Sequence, residues 1–192
     1  MKLPLALFLG LGLAIQLSAA EVKPHPVTAT FYISNVQCST CVESIAESVK
    51  KVKSVTDFKM DPAQGYALIS FDTHVSSYHQ IAQSVADASP VHGDKYEATL
   101  KLSVPDYAKG DNAAKIDAVF AKQKADVTVR TVNKEKGEFV LHFLPLKINP
   151  KKEGPQGFNA GKFGHPIHDP APKGLGLAFA IKREGAKAAP KK

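Results

Sequence analysis

The chain has 192 residues, 25 basic against 18 acidic side chains for a net charge of +7, and 44% apolar residues. This composition is globular and excludes a disordered or collagen-like chain. Two cysteines cannot supply a disulfide framework or a four-thiolate zinc cage. The basic charges are scattered and the chain has no Trp, so we expect no nucleic-acid partner.

The first twenty residues have the layout of a secretory signal peptide. Lys2 provides a basic start, residues 3–17 are largely apolar, and Ser18-Ala19-Ala20 offers small residues at a cleavage site. The apolar run is shorter than the roughly 20 residues that span a bilayer. We therefore predict residues 1–20 as a signal peptide and expect a periplasmic or secreted chain without stable membrane insertion after cleavage.

Periodicity over residues 26–104 predicts six elements. Apolar residues recur at every second position in the strands and at spacings of three and four in the helices. Ser77 and Gln80 are placed to form a capping box before the second helix. The predicted elements are a strand at 27–34, a helix from 42 to 52, strands at 54–60 and 66–71, a helix from 78 to 85, and a strand at 96–104. This βαββαβ order predicts an α+β, ferredoxin-like sandwich.

Residues 105–183 repeat the pattern in part. A helix follows Asp111-Asn112, and a hairpin at 126–132 and 138–144 comes next. The strand at 96–104 can serve both copies, so we predict a second, degenerate ferredoxin-like half. A Gly/Pro-rich stretch from 145 to 174 indicates a loop in place of its second helix, followed by a strand from Leu175 to Ile181. Residues 184–192 form a basic tail that we expect to be solvated.

Both cysteines, Cys38 and Cys41, lie where the first strand meets the first helix. Thr40 and Glu43 have capping-box spacing, which predicts Thr40 as the N-cap and Cys41 as the first helical residue. The amide hydrogens and dipole of a helix N-terminus favour negative charge. We therefore expect a lowered thiol pKa and a larger thiolate fraction for metal binding or disulfide exchange.

Two thiolates without an evident third ligand suit a soft ion. Cu(I) is favoured, with Hg(II) as an alternative, and Zn(II) would need further ligands. Three other interpretations stay open at this point: a stable disulfide, a thiol-disulfide redox centre, and an envelope interaction module that binds no metal. The chain shows no Ser/His/Asp arrangement, phosphate-binding loop or paired-carboxylate motif, so we do not expect an enzyme.

The sequence Asn35-Val36-Gln37-Cys38-Ser39-Thr40-Cys41, between a strand and an amphipathic helix, resembles the metal-binding loop of the heavy-metal-associated domain family. That family includes periplasmic mercury-binding proteins, copper chaperones and modules of metal-pumping ATPases. The resemblance covers about residues 26–104 and implies a metal ion held by Cys38 and Cys41 and exchanged with a partner protein. Where the family usually has Gly-Met at the start of this loop, this chain has Asn35-Val36.

The histidines outside this loop give weaker evidence for a metal site. By the same resemblance, His92 and Tyr96 lie near the loop, where one of them would shield or tune the metal. His165 and His168, with Asp169, could recruit Cu(II), Ni(II) or Zn(II), but a surface loop explains them better. His79 lies at the start of the predicted second helix, where capping or exposure would explain it.

Overall fold

The computed structural model describes residues 23–185. The predicted signal peptide and all but two residues of the predicted basic tail lie outside this range. The elements in chain order are β1 (Pro26–Ser34), α1 (Ser39–Lys50), β2 (Asp57–Asp61), a 3-10 turn (Pro62–Gln64), β3 (Tyr66–Asp72), α2 (Tyr78–Ala86), β4 (Glu97–Ser103), α3 (Asn112–Ala121), β5 (Val127–Asn133), β6 (Glu138–Phe143), α4 (Gly161–His168) and β7 (Ala180–Ile181). None of the helices in this range has the length and apolar character needed to span a bilayer.

All strands join one antiparallel sheet with the path β2-β3-β1-β4-β6-β5, and β7 also pairs with β4. β1 contacts the first part of β4, where Tyr32 is opposite Thr99, and β7 contacts the last part, where Ile181 is opposite Leu102. The first half therefore has the order β2-β3-β1-β4, and the second repeats it as β5-β6-β4-β7. β4 is the last strand of one ferredoxin-like half and the first strand of the other, which confirms the predicted fold class.

A continuous aromatic core joins the two halves on one face of the sheet. The ring of Phe31 in β1 lies 6.4 Å from that of Phe143 in β6, which lies 6.1 Å from Phe158. Phe158 lies 4.8 Å from Phe163 in α4, and Phe163 is 4.8 Å from Phe120 in α3. Because these centroid distances fall in the range of packed aromatic pairs, the halves share a single core.

The structure corrects the prediction for residues 145–181. A helix, α4, occupies part of the expected loop, because its Phe163 and Ile167 are four residues apart and both fully buried. The expected strand at 175–181 is reduced to β7. The Leu175 amide donates to the Pro166 carbonyl at 2.9 Å, and the Leu177 amide donates to the Ile167 carbonyl at 2.8 Å. These amides satisfy carbonyls at the C-terminal end of α4 and are not available for strand pairing.

Residues 144–158, here called the strap, are fastened to α2. The predicted capping box of α2 is present, and its Gln80 Oε1 also accepts the amide of Gln156 at 3.0 Å. His79 is 1% exposed, contrary to the expected exposed or capping position. Its Nδ1 accepts the Phe158 amide at 3.2 Å and its Nε2 donates to the Leu144 carbonyl at 2.6 Å. This pattern fixes a neutral imidazole with the proton on Nε2.

Candidate metal centre

The loop between β1 and α1 brings Cys38 to the helix N-terminus as the N-cap residue. α1 begins at Ser39, and Cys38 has the extended backbone typical of an N-cap. Its Sγ accepts the amide of Cys41 at 3.3 Å. The predicted N-cap, Thr40, is thus wrong by two residues, since the sulfur of Cys38 takes the place of a capping oxygen. Both cysteines lie in the part of the helix where unpaired amides stabilise a thiolate.

Asn35 and Val36 hold this loop in position. Asn35 has a positive φ of 65°, a conformation that Asn adopts more readily than most side chains. Its side-chain amide donates to the Lys95 carbonyl at 2.7 Å, which ties the loop to the segment before β4. Val36 is partly buried against the core. The Asn-Val pair therefore provides a left-handed turn followed by an apolar anchor.

The two thiols are free and close together, and they differ in exposure. The Sγ atoms are 2.9 Å apart, beyond the bond length of about 2.05 Å in a disulfide. Cys41 is fully buried, whereas Cys38 is partly exposed. Burial raises the pKa of the Cys41 thiol, but hydrogen bonds from Cys38, the backbone of Gln37 and the Tyr96 hydroxyl outweigh burial and lower the pKa to about 6. Cys41 is therefore mostly thiolate at neutral pH.

The segment between α2 and β4 adds a third metal-binding side chain to the pair. His92 Nε2 lies 3.2 Å from Cys38 Sγ. Ligand atoms of Cys38, Cys41 and His92 all lie within 4.8 Å of one another, and no other group of three His, Cys, Asp or Glu residues does so within residues 23–185. The sequence placed His92 near the loop but did not distinguish it from Tyr96.

Tyr96 has a supporting position beneath this cluster. Its side chain is almost fully buried, and its hydroxyl accepts the Val91 amide at 3.2 Å. Burial raises the pKa of Tyr96, and the hydrogen bond to Cys41 raises it further. The hydroxyl therefore stays neutral and donates to the Cys41 thiolate, while its bond to Val91 fixes the segment that carries His92.

The second histidine cluster of the sequence is not assembled into a metal site. His165 and His168 lie in α4, and His165 Nδ1 is 3.5 Å from Asp169 Oδ2. These three residues do not bring their ligand atoms together as Cys38, Cys41 and His92 do. Both histidines instead line a cleft between α4 and the start of α2.

Comparison with known proteins agrees with this geometry. The family model of the heavy-metal-associated domain matches residues 30–89. Among solved structures, the chain is similar to a putative copper-ion-binding protein from Bacillus anthracis, with 24% identity, a TM-score of 0.34, and coverage of 40% of this chain and 99% of that one.

Two structures of Bacillus subtilis CopA cover more of the chain. The water-soluble region of this P-type ATPase is 14% identical, with a TM-score of 0.39 and coverage of 84% of this chain and 94% of that one. Its N-terminal soluble domains are also 14% identical, with a TM-score of 0.36 and coverage of 84% of this chain and 97% of that one. No curated protein matches the chain significantly. The family match coincides with β1, α1, β2, β3 and α2 and with the cysteine loop between the first two of these elements. Residues 30–89 of this chain therefore match the heavy-metal-associated domain family.

Proposed function

We propose that this protein binds one Cu(I) ion through Cys38 and Cys41, with His92 as a third ligand, and passes it to a partner protein outside the cytoplasm. The observation that carries the proposal is the convergence of two sulfurs and one imidazole nitrogen within 4.8 Å at the loop of a heavy-metal-associated domain. The heavy-metal-associated domain is a metal-binding, non-catalytic module, so the activity we assign is binding and exchange.

The ligand set favours Cu(I) over the alternatives. Soft thiolates select Cu(I), and imidazole is also a copper ligand. A structural Zn(II) site is almost always four-coordinate, and only three ligands converge here within the described residues. Hg(II) shares the preference for sulfur and could bind the same cysteine pair, so its affinity has to be compared with that of Cu(I).

The unequal exposure of the ligands supports transfer. Cys41 is buried, Cys38 is partly exposed and His92 is exposed. An incoming thiolate can therefore approach the ion from the side of Cys38 and His92 while Cys41 still holds it. Replacement of His92 by a partner's sulfur keeps three ligands on the ion, which avoids releasing it into solvent.

Export is the part of the proposal that depends on residues 1–20. Their basic start, apolar run and small residues before Glu21 support a cleaved signal peptide. A cysteine pair outside the cytoplasm is exposed to oxidants. Bound Cu(I) would occupy both thiolates and protect them from oxidation to a disulfide.

The same geometry weighs against thiol-disulfide exchange as the main function. An attacking thiolate has to reach the sulfur of its substrate. The thiol with the lowered pKa is Cys41, which is fully buried behind Cys38. We therefore expect no turnover of a small disulfide substrate by the reduced protein.

The decisive experiment is an anaerobic titration of the fully reduced chain with Cu(I) in competition with bicinchoninate. We expect one high-affinity Cu(I) per chain, and X-ray absorption showing two sulfurs and one nitrogen around copper. Cys38→Ser combined with Cys41→Ser should abolish this binding. His92→Ala should weaken it while keeping the 1:1 stoichiometry and the two sulfurs.

His165→Ala and His168→Ala are matched controls, since each removes an imidazole from a different part of the fold and should leave the affinity unchanged. Full-affinity binding by the double cysteine variant would refute the site. Failure of the reduced chain to compete with bicinchoninate for Cu(I) would refute the assignment of copper.

A further inference from the structure

A second concave site lies on the helical face of the protein, between the start of α2, α4 and residues 179–183. This space, here called the α4 cleft, has a volume of about 750 Å³, within the range of small-molecule sites. It shares no residue with the cysteine pair or His92. The metal centre therefore does not account for it.

The first indication of a ligand is Tyr78, at the inner end of the cleft. Only 5% of this residue is exposed, and its ring packs edge-on against Phe71 at 5.2 Å and near Phe31 at 6.0 Å. No group among residues 23–185 hydrogen-bonds its hydroxyl, which lies at the cleft. Since every fully enclosed side-chain polar atom among these residues has a partner, this hydroxyl is open to the cleft, where it can donate to a bound acceptor.

The charges of the cleft favour an anion. Arg183 lines its rim, and His165 and His168 lie on the α4 side. Asp169 is the one carboxylate among the lining residues, and it lies 3.5 Å from His165. Arg183 and Tyr78 line the same cleft, where burial raises the pKa of Tyr78 and the charge of Arg183 lowers it. Arg183 and Tyr78 therefore each offer a hydrogen-bond donor to a ligand in this cleft, and a guanidinium suits a planar carboxylate.

Apart from Lys182, the remaining lining is apolar or lacks side chains. Phe179 and Ile181 line the cleft, and Gly164 leaves the facing turn of α4 open. A Cβ added at Gly164 would meet only the ring of Phe179, at 3.9 Å. There is consequently room beside the donors for the apolar body of a ligand.

We propose that the α4 cleft binds a small organic carboxylate with an apolar body, whose carboxylate is held by Arg183 and the Tyr78 hydroxyl. The apolar part lies against Phe179 and Ile181. The proposal does not depend on metal binding.

The test uses the full reduced chain and 4-phenylbutyrate as the probe, followed by amide chemical shifts in NMR. We expect saturable shifts at Gly164 and Phe179. The uncharged analogue 4-phenylbutanamide should bind at least about tenfold more weakly, because it lacks the charge that strengthens the bonds to Arg183. The cysteine double variant should bind the probe unchanged, which separates this result from the metal proposal.

Three substitutions locate the site. Arg183→Ala should weaken binding about tenfold or more, whereas the control Arg130→Ala, which removes an arginine from β5 on the other face of the sheet, should not. Tyr78→Phe removes a hydroxyl without a protein partner, so the chain should fold normally and bind more weakly. Gly164→Leu should fill the cleft and abolish binding. Equal binding of the butanamide, equal losses in both arginine variants, or undiminished binding by Gly164→Leu would overturn the proposal.

Discussion

The buried imidazole of His79 makes the stability of this protein depend on pH in a defined direction. Burial lowers the pKa of His79, and the nearby Asp126 and Lys162 act in opposite senses on it. Protonation would place a second N–H on Nδ1, which faces the Phe158 amide and must accept from it. The pKa of His79 is therefore lower in the folded protein than in the unfolded chain, where it has its ordinary value of about 6.5.

The sign and size of the effect follow from linkage. Below about pH 6.5 the unfolded state binds a proton at His79 that the folded state does not, so the free energy of unfolding decreases as pH falls. The slope from this residue is at most about 1.4 kcal/mol per pH unit until the lower folded pKa is reached. Above pH 7 the contribution is complete and the slope vanishes.

His79→Asn is the informative variant. Its Oδ1 can replace Nδ1 as acceptor for the Phe158 amide, but it cannot reach Leu144 as Nε2 does at 2.6 Å. Loss of that donor should cost about 1–3 kcal/mol at pH 7.5. At pH 5 the variant should be closer in stability to the original chain, because only the original loses stability through protonation of residue 79.

Urea unfolding between pH 5 and 8 gives the free energy of unfolding of the original chain and of the variant. Since the chain has no Trp, far-UV circular dichroism is the natural signal. Subtracting one pH profile from the other cancels the six remaining histidines, which both proteins share. A difference in stability that stays constant over this pH range would refute the role of His79.

Two further predictions concern a thiol and a tight turn. Tyr96→Phe removes a donor to Cys41, so the pKa of that thiol should rise above about 6, as measured by thiolate absorbance at 240 nm; an unchanged titration would contradict the hydrogen bond. Gly137→Ala should cost more stability than Gly65→Ala. Both glycines have positive φ, which costs about 1–2 kcal/mol for alanine, but only at Gly137 would the added Cβ overlap the carbonyl of Val104. Thermal melts of the two variants compare them, and equal losses would show that the overlap is relieved.

Much of the first half could be predicted because its elements are regular. In β1, alternate residues such as Phe31 are buried as the period of two requires, and the capping box of Ser77 and Gln80 is local in sequence. The N-cap of α1 was missed, because a cysteine sulfur occupies a position for which the usual rules expect an oxygen. Those rules therefore chose Thr40, two residues further along the chain.

The errors in the second half have a different cause. Gly161, Gly164 and Pro166 all lower helix propensity, and α4 forms because burial of Phe163 and Ile167 outweighs this local preference. Phe163 packs against Phe120 of α3, which lies far away in sequence, as well as against Phe158. His79 is a similar case, since its polar ring is buried only because the strap supplies a donor and an acceptor on either side of it.

The position of His92 could be predicted only in part from the sequence. Nothing in its neighbouring residues marks it as a ligand, and its exposed position is ordinary for a histidine. Its approach to Cys38 depends on the contacts of Asn35 with Lys95 and of Tyr96 with Val91. The sequence could therefore indicate the neighbourhood of the cysteine pair but not which side chain would complete a candidate metal site there.

The sharing of β4 determines how this protein unfolds and moves. A pair of domains joined by a linker can turn relative to each other and lose structure one at a time. Here the central strand has β1 and β7 on one edge and β6 on the other, so the halves cannot turn relative to each other without breaking the pairing of β4. Residues 23–185 should consequently melt in a single calorimetric transition, and under the proposed function a partner would meet the cysteine loop on one continuous sheet and not on a separately moving domain.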